Sequence, residues 1–242
     1  MNELENINES SLEAQNPPLH KADVVRSAVF NEDCMLGMKR YPDKFFHLAI
    51  VDPPYGIGEA NKFQSRYVPT SKWKNPVCNH THKEWDNYRP DETYFAELRR
   101  VSKNQIIWGA NYFTEYLPPS MGWIFWDKRM SGDFSDGELA YTSFSKALKK
   151  FDHLWSGFKQ KVVEKRIHPT QKPVALFDFC LQYAKAESDW RILDTHCGSG
   201  SSRISCDKAG LEYVGFEIDD EYYTKQEARW KNFKAQMRIE WE

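Results

Sequence analysis

None of the five cysteines is spaced as a CxxC pair in the 242-residue chain. An odd set without paired spacing argues against a disulfide framework and offers a zinc centre no familiar ligand pattern. It fits a reducing cytosol. No apolar run approaches the ~18–20 residues of a membrane span. The opening "MNELENINES" lacks the charged-then-apolar order of a secretory signal. There is no excess of positive charge either: 33 basic residues face 35 acidic ones, for a formal net of −2. Total charge therefore gives no support to a polyanionic partner, and only its distribution along the chain can do so. No internal repeat is present.

What is present suits one large α/β domain. Hydrophobic residues make up 40% and charged residues 28%, enough for a core in a soluble protein. Aromatics reach 15%, with nine Trp, which can bury area or stack on flat ligands. Residues 1–22 read as a flexible acidic tail; the first 20 carry four Glu and no Lys or Arg. Residues 23–242 read as a single domain. Within it, "FHLAIVD" is a continuous apolar run of the kind that buried parallel strands show. "NQIIWGA", "GWIFWDK" and "ELAYTSF" read as further strands. "DETYFAELRRVS" and "VALFDFCLQYAK" read as helices, the first with Tyr94, Phe95 and Leu98 on one face and the second with Pro173 at its first turn. Alternating strands and helices predict a mostly parallel, doubly wound sheet.

Two segments break the pattern. Residues 59–90 are polar, aromatic and punctuated by Pro, with no period; a loop this long inside a domain is usually functional or disordered. Residues 146–172 carry eight Lys/Arg against Asp152 and Glu164, a local net of +6. That cluster reads equally as a solvated face or as a nucleic-acid contact.

"ILDTHCGSGSS" places Asp194 at a strand end, with Gly198 and Gly200 in the turn before a helix. Glycines there let a ligand approach the backbone. The next strand, "YVGFEID", ends in Glu217, 17 residues after Gly200, where a carboxylate binds ribose hydroxyls in such βαβ units. The GxGxxG fingerprint is not met, because Arg203 stands at the third position. A side chain there is expected to crowd a pyrophosphate, and Asp194 would repel one. S-adenosylmethionine has a ribose, an ammonium and a sulfonium but no phosphate, and fits these residues better than NAD does. The bland alternative is a tight strand–helix turn with acids by chance.

The second motif is "DPPYGIG", Asp52–Gly58, directly after the apolar strand. A turn needs Pro or Gly, but not a Tyr held behind two prolines. "DPPYGIG", "HPTQKP" and "LDTHCGSGS", together with "NEDCM", "IIWGANYF" and "VGFEIDDEYY", make the chain resemble the DNA amino-methyltransferases. These enzymes methylate N6 of adenine or N4 of cytosine. The resemblance runs from about Asn31 to about Arg238. The catalytic motif precedes the cofactor loop, which resembles the permuted β-class order.

The resemblance implies a Rossmann-like sheet, mostly parallel with one antiparallel strand. It implies S-adenosyl-L-methionine as methyl donor and double-stranded DNA with a flipped-out target base. Asp52 and the Pro53 carbonyl would accept hydrogen bonds from the target amine. Pro54 would stiffen the turn, and Tyr55 would stack on the base. Asp194, His196, Gly198, Ser199, Gly200, Ser201 and Glu217 would form the cofactor loop and its ribose acid. Thr170 and Lys172 would cover the methionine end. Asp33, with Cys34 beside it, would face the cofactor adenine. His196 stands where the family usually has Phe, and Thr195 where it usually has Pro. No cysteine sits in the Pro-Cys context of the C5-cytosine enzymes, and no metal site is expected; Cys78, His80 and His82 match no zinc motif.

Opening the motif with Asp favours N6 of adenine; N4 of cytosine is the close alternative. More distant readings are N-methylation of RNA or protein, an inactive nucleic-acid-binding module of the same fold, and a nicotinamide or flavin oxidoreductase. Segments 59–90 and 145–167 are expected to recognise DNA, with Arg66, Lys72, Lys74, Arg89, Lys149, Lys150, Lys159 and Lys161 as phosphate contacts. Neither a cognate restriction endonuclease nor the oligomeric state can be read from the chain; the β-class order is compatible with a homodimer.

Overall fold

The computed structural model describes residues 26–57, 88–129, 135–155 and 166–239. Within them, five helices and eight strands follow in chain order: β1 (Ser27–Phe30), α1 (Cys34–Met38), β2 (Phe46–Val51), α2 (Glu92–Val101), β3 (Ser102–Trp108), β4 (Trp123–Asp127), β5 (Gly137–Thr142), β6 (Lys149–Asp152), α3 (Val174–Ala184), β7 (Arg191–Asp194), α4 (Ser201–Lys208), β8 (Glu212–Phe216) and α5 (Asp220–Ile239). Two short 3₁₀ turns, Ala110–Tyr112 and Thr114–Tyr116, lie between β3 and β4.

All eight strands form one sheet in the order β1-β8-β7-β2-β3-β5-β4-β6. Every pairing is parallel except those of β5, which runs against both β3 and β4. The sheet is thus mostly parallel with one reversed strand, as the resemblance implied. From β7 the chain winds outward to β8, and from β2 it winds the other way to β3. The strand order therefore reverses between β7 and β2, which pair through Leu48↔Ile192 and Ala49↔Leu193. Ligands in open α/β sheets bind in the crevice at such a reversal, outside the carboxyl ends of the strands.

β2 is apolar without alternation because both faces are covered. Leu48 and Ile50 pack into one core cluster and Phe46, Ala49 and Val51 into the other, all at 1% exposure or less. In α2, the Asp91 carboxylate caps the helix by accepting from Thr93 and Tyr94 N–H, and Tyr94, Phe95, Leu98 and Val101 face the sheet. Pro173 stands at the N-cap of α3, one position before the expected first turn.

One element was not foreseen. β6 lies in the segment expected to recognise DNA, yet it pairs with β4 and closes the sheet edge. Its alternation is masked by lysines, since an edge strand buries little; only Phe151 is more than marginally covered.

Gly37 sits inside α1 with the ring of Phe216 pressed against its Cα, so an added methyl would overlap that ring. Helix propensity favours Ala over Gly by about 1 kcal/mol. Overpacking against a fully buried ring costs roughly 1–3 kcal/mol. The clash should win: Gly37→Ala is expected to lower the unfolding midpoint, measured by chemical denaturation.

Candidate active site

The carboxyl end of β2 runs directly into Asp52-Pro53-Pro54-Tyr55. The prolines restrict the backbone just where the strand ends, and Pro53 is buried. Both Asp52 oxygens are engaged. Oδ1 accepts from the Tyr55 hydroxyl at 2.6 Å, and Oδ2 is ion-paired with Lys172 Nζ. Lys172 Nζ also lies 3.2 Å from the Tyr55 hydroxyl and 3.1 Å from Glu138 Oε2. Glu138 Oε1 is in turn paired with Lys128. Two carboxylates and two ammoniums thus balance in a site where Lys172 is only 7% exposed.

Burial pushes the Asp52 carboxyl up, the Lys172 charge opposes this, and Glu138 adds to the rise, leaving the group above its ordinary value. Burial also acts to raise Glu138, but Lys172 and Lys128 outweigh it and hold that carboxyl down at about 2. Lys172 is lowered by burial and raised more strongly by Asp52 and Glu138, so it stays an ammonium. Tyr55 is raised well above its usual value, first by burial and then by Asp52, and remains a phenol that donates.

The Tyr55 ring stacks on Tyr112, with centroids 4.9 Å apart and planes 14° apart. Gly109 makes room for it: any Cβ there would enter the Tyr55 ring, and its φ of 66° is one that side-chain-bearing residues rarely adopt. Arg89, expected to contact phosphate, instead donates to the Tyr112 carbonyl at 2.6 Å and pairs with Glu115. It braces the aromatic pair.

At the end of β7, Asp194 turns inward. Its Oδ1 accepts from His196 N–H at 3.0 Å and its Oδ2 from the Ser202 hydroxyl at 2.5 Å. Burial raises it to about 6 despite those donors. Gly198 and Gly200 adopt φ of 49° and 71°. Glu217, at the end of β8, closes the loop by accepting from Gly198 N–H at 2.8 Å and Asp219 N–H at 2.9 Å. Ser201 donates to the Lys172 carbonyl at 2.8 Å, which ties the glycine loop to the loop that carries the active-site lysine. Ser199 lies 3.1 Å from Ser201.

A half-open pocket lies over the ends of β1, β7 and β8, lined by Asp33, Cys34, Thr195, His196, Phe216 and Glu217 among others. Burial drives His196 down to about 4, so it lines the pocket as a neutral imidazole, its Nδ1 2.9 Å from the Thr195 hydroxyl. Burial pushes the Cys34 thiol up to about 12, which suits packing and not nucleophilic attack. Asp33 also caps α1, accepting from Met35 N–H at 2.6 Å.

The sequence-derived residues therefore divide. Asp52, Pro53, Pro54 and Tyr55 form one half-site; Asp33, Cys34, His196, Gly198 and Glu217 form the other. Lys172, expected over the cofactor, sits instead on Asp52. Thr170 stays within its own loop, its hydroxyl 3.2 Å from His168 Nδ1. Arg203 does not crowd the pocket. It is 3% exposed and reaches away to Ser27, Gln226 and Glu227, under Trp230. The argument against a pyrophosphate rests on the acids Asp33 and Glu217 in the pocket wall. Glu138 was missed; "ELAY" reads as an ordinary strand, and only the sheet brings it to Lys172.

Of the expected DNA contacts, Lys150 is paired with Asp127 at 2.8 Å. Lys149 stands at the other end of β6 from Asp152, whose partner Asp127 leads toward the Glu138 end of the sheet. Arg66, Lys72, Lys74, Lys159 and Lys161 lie outside the described residues, as do Cys78, His80 and His82. Among the described residues no His, Cys, Asp and Glu group could hold a metal ion, and no helix is long and apolar enough to cross a membrane.

A family model described as "DNA methylase" matches residues 123–228, from β4 through the lysine loop and the glycine loop into α5. Over that segment, which holds the lysine loop and the glycine loop, the chain is similar to the DNA amino-methyltransferases. The type II methyltransferase M2.DpnII of Streptococcus pneumoniae is 34% identical over 130 residues, 49% of this chain and 47% of that protein. The chain spans about half the length of that relative. The crystal structure of the M1.HpyAVI–SAM complex superposes with a TM-score of 0.51 at 17% identity, over 83% of this chain and 98% of that one. The cytosine-N4-specific PvuII DNA methyltransferase superposes with a TM-score of 0.54 at 10% identity, over 84% and 86%. At these identities the structural likeness establishes the fold alone: a mostly parallel α/β sheet with one reversed strand, shared with those enzymes. The match to the family model covers Lys172, Asp194 and Glu217, while Asp52–Tyr55 lie upstream of it and are brought beside the glycine loop by the β2–β7 pairing.

Burial raises Glu217 to about 7 from 4.5, outweighing the two N–H donors. Between those pH values the folded chain holds a proton that the unfolded chain has lost. Stability from this group is therefore full below pH 4.5 and is lost as pH rises through about 7. Glu217→Gln removes the effect. Its unfolding temperature relative to the parent protein should climb by roughly 6–12 °C from pH 4.5 to pH 7, since a rise from 4.5 to about 7 is worth roughly 3 kcal/mol and about 1 kcal/mol moves a domain of this size by roughly 2–4 °C. A pH-independent difference in thermal scans would contradict the assignment.

Proposed function

We propose that the protein is a site-specific DNA methyltransferase that transfers a methyl group from S-adenosyl-L-methionine to the exocyclic N6 of a flipped adenine. The observation that carries this is the placement of the Asp52–Tyr55 turn beside the glycine loop, on adjacent parallel strands at the point where strand order reverses. Bound in the pocket, the cofactor supplies an electrophilic methyl on a sulfonium. Glu217 is the residue for ribose hydroxyls, with Asp33, Cys34, Thr195 and His196 around the nucleoside. The acids in that wall suit a phosphate-free, positively charged nucleoside.

An aromatic exocyclic amine is a poor nucleophile, because its lone pair is delocalised into the ring. The Asp52 carboxylate and the Pro53 carbonyl offer two acceptors that favour a more tetrahedral nitrogen and stabilise its developing positive charge. Holding that nitrogen in line with the donor methyl removes the entropic cost of a chance encounter. Tyr55 and Tyr112 supply aromatic surface for a base that has lost its duplex neighbours. Neither a covalent intermediate nor a nucleophilic thiol is required.

Asp52→Ala should reduce methyl transfer by about 10²–10³-fold or more while cofactor binding stays measurable. Wild-type turnover would remove Asp52 from the mechanism. Tyr55→Ala should lose about 1–3 kcal/mol of base stacking, read as a higher KM for DNA or a lower kcat. The deciding experiment is methylation of plasmid DNA with labelled cofactor, followed by nucleoside digestion and modified-base sequencing. N6-methyladenine is expected. N4-methylcytosine would move the target base and keep the mechanism. Label in 5-methylcytosine alone would overturn it.

A further inference from the structure

Lys172 stands between two carboxylates, and only one of them belongs to the catalytic motif. Its ammonium is paired with Asp52 Oδ2 and lies 3.1 Å from Glu138 Oε2. Glu138 is anchored from the other side by Lys128. β5 carries Glu138 to this place because it is the one strand of the sheet that runs backwards: its first residues lie at the same end as the last residues of β4, with Trp126 opposite Glu138.

This creates a conflict for the methyl-transfer reading, on which the role assigned to Glu138 rests. The target amine needs Asp52 as an acceptor, yet both Asp52 oxygens already have donors in the free protein. A buried carboxylate also needs a nearby positive charge to stay ionised. One ammonium must hold Asp52 ionised while the site is empty and release it when the amine arrives. Breaking a buried ion pair by taking one partner away is costly, unless the displaced charge has a second counter-ion within reach.

We propose that Glu138 is a positioning residue that acts through Lys172: it is the second counter-ion, holding the ammonium in a bridging position from which it keeps Asp52 ionised and to which it retreats when the target amine occupies Asp52. Lys128 fixes Glu138 in turn. The cluster stays neutral throughout, with two carboxylates and two ammoniums, so no net charge is uncovered at the exchange. Lys172 keeps its proton and is therefore not the base of the reaction.

The groups facing Asp52 come from several elements. Lys172 from the 167–173 loop favours ionisation, and the Tyr55 hydroxyl donates to it. Glu138 from β5, Asp194 at the end of β7 and the phenol of Tyr94 on α2 lie near enough to interact electrostatically with it. Lys172 contributes the only positive charge among those named. Without it, three acids would share a dry pocket with Lys128 as their remaining cation, and Asp52 would take up a proton.

The test follows Asp52 in two independent ways. In the ligand-free 242-residue chain, carboxyl-labelled aspartate is titrated by carbon NMR, with Asp52→Asn identifying the resonance. In Lys172→Met the Asp52 midpoint should move up by at least about one pH unit, and Lys172→Arg should restore it most of the way. Steady-state methylation of plasmid DNA is then measured against pH. The acid limb of kcat/KM should shift upward in Lys172→Met to match the NMR midpoint. Glu138→Gln should behave differently. Its acid limb stays at or below that of the parent protein, while kcat falls about tenfold, because the ammonium now has Asp52 as its one carboxylate in reach and competes with the amine. The Glu138→Gln/Lys172→Met double variant should be no slower than Lys172→Met alone.

An unmoved Asp52 midpoint in a folded Lys172→Met variant would overturn the proposal, whatever the enzyme's activity. So would a fully active Glu138→Gln, or losses that multiply in the double variant. A parent protein that methylates no DNA would instead overturn the methyltransferase reading, while the NMR titration would still decide whether Lys172 sets the charge of Asp52.

Discussion

Two strands lying side by side, β2 and β7, govern the rest of the molecule. They are far apart in the chain, and their pairing places Asp52 and the glycine loop side by side at the carboxyl ends of two central strands. Because both run in the same direction, both turns open on the same side. Because the chain leaves them in opposite directions, no crossover helix covers the space between. The crevice follows from topology, and the side chains furnish it.

The furnishing is electrostatic. The site gathers the half-buried Asp52 and Glu138 and the buried Asp194 and Glu217, and each is handled differently. Asp194 is given hydroxyl and amide donors, Glu217 two backbone amides, and Glu138 two ammoniums. Asp52 shares one ammonium and one phenol. It shares its ammonium with Glu138, which suits a group that must accept a new donor. Backbone strain serves the same end: Gly109 accepts a left-handed φ so that the Tyr55 ring can sit flat against Tyr112.

Much of this was legible in the chain. The apolar run before Asp52, the Asp–Gly-rich turn at 194–200 and the acid at 217 are local patterns, and local patterns survive in one dimension. The resemblance carried by these motifs implied a single reversed strand. Other features were not legible, for reasons particular to each residue. Lys172 could be placed in a loop next to the cofactor turn, but which anion it would choose depends on how far that loop folds back over β2. Arg203 was expected to crowd a pyrophosphate because of its position in a spacing rule; in three dimensions its side chain reaches away to Trp230 and Glu227. β6 was hidden because an exposed edge strand carries little apolar signal.

Sequence by itself determined the two half-sites and their chemistry. An acid followed by two prolines and a tyrosine, and a glycine turn followed by a distant acid, each dictate a local geometry through restricted or permitted backbone angles. Tertiary structure alone decided that these halves meet, that Lys172 faces Asp52, and that Glu138 joins them. Those are contacts between residues 34 to 142 positions apart in the chain. They are set by strand order and strand direction, which no short stretch of sequence contains.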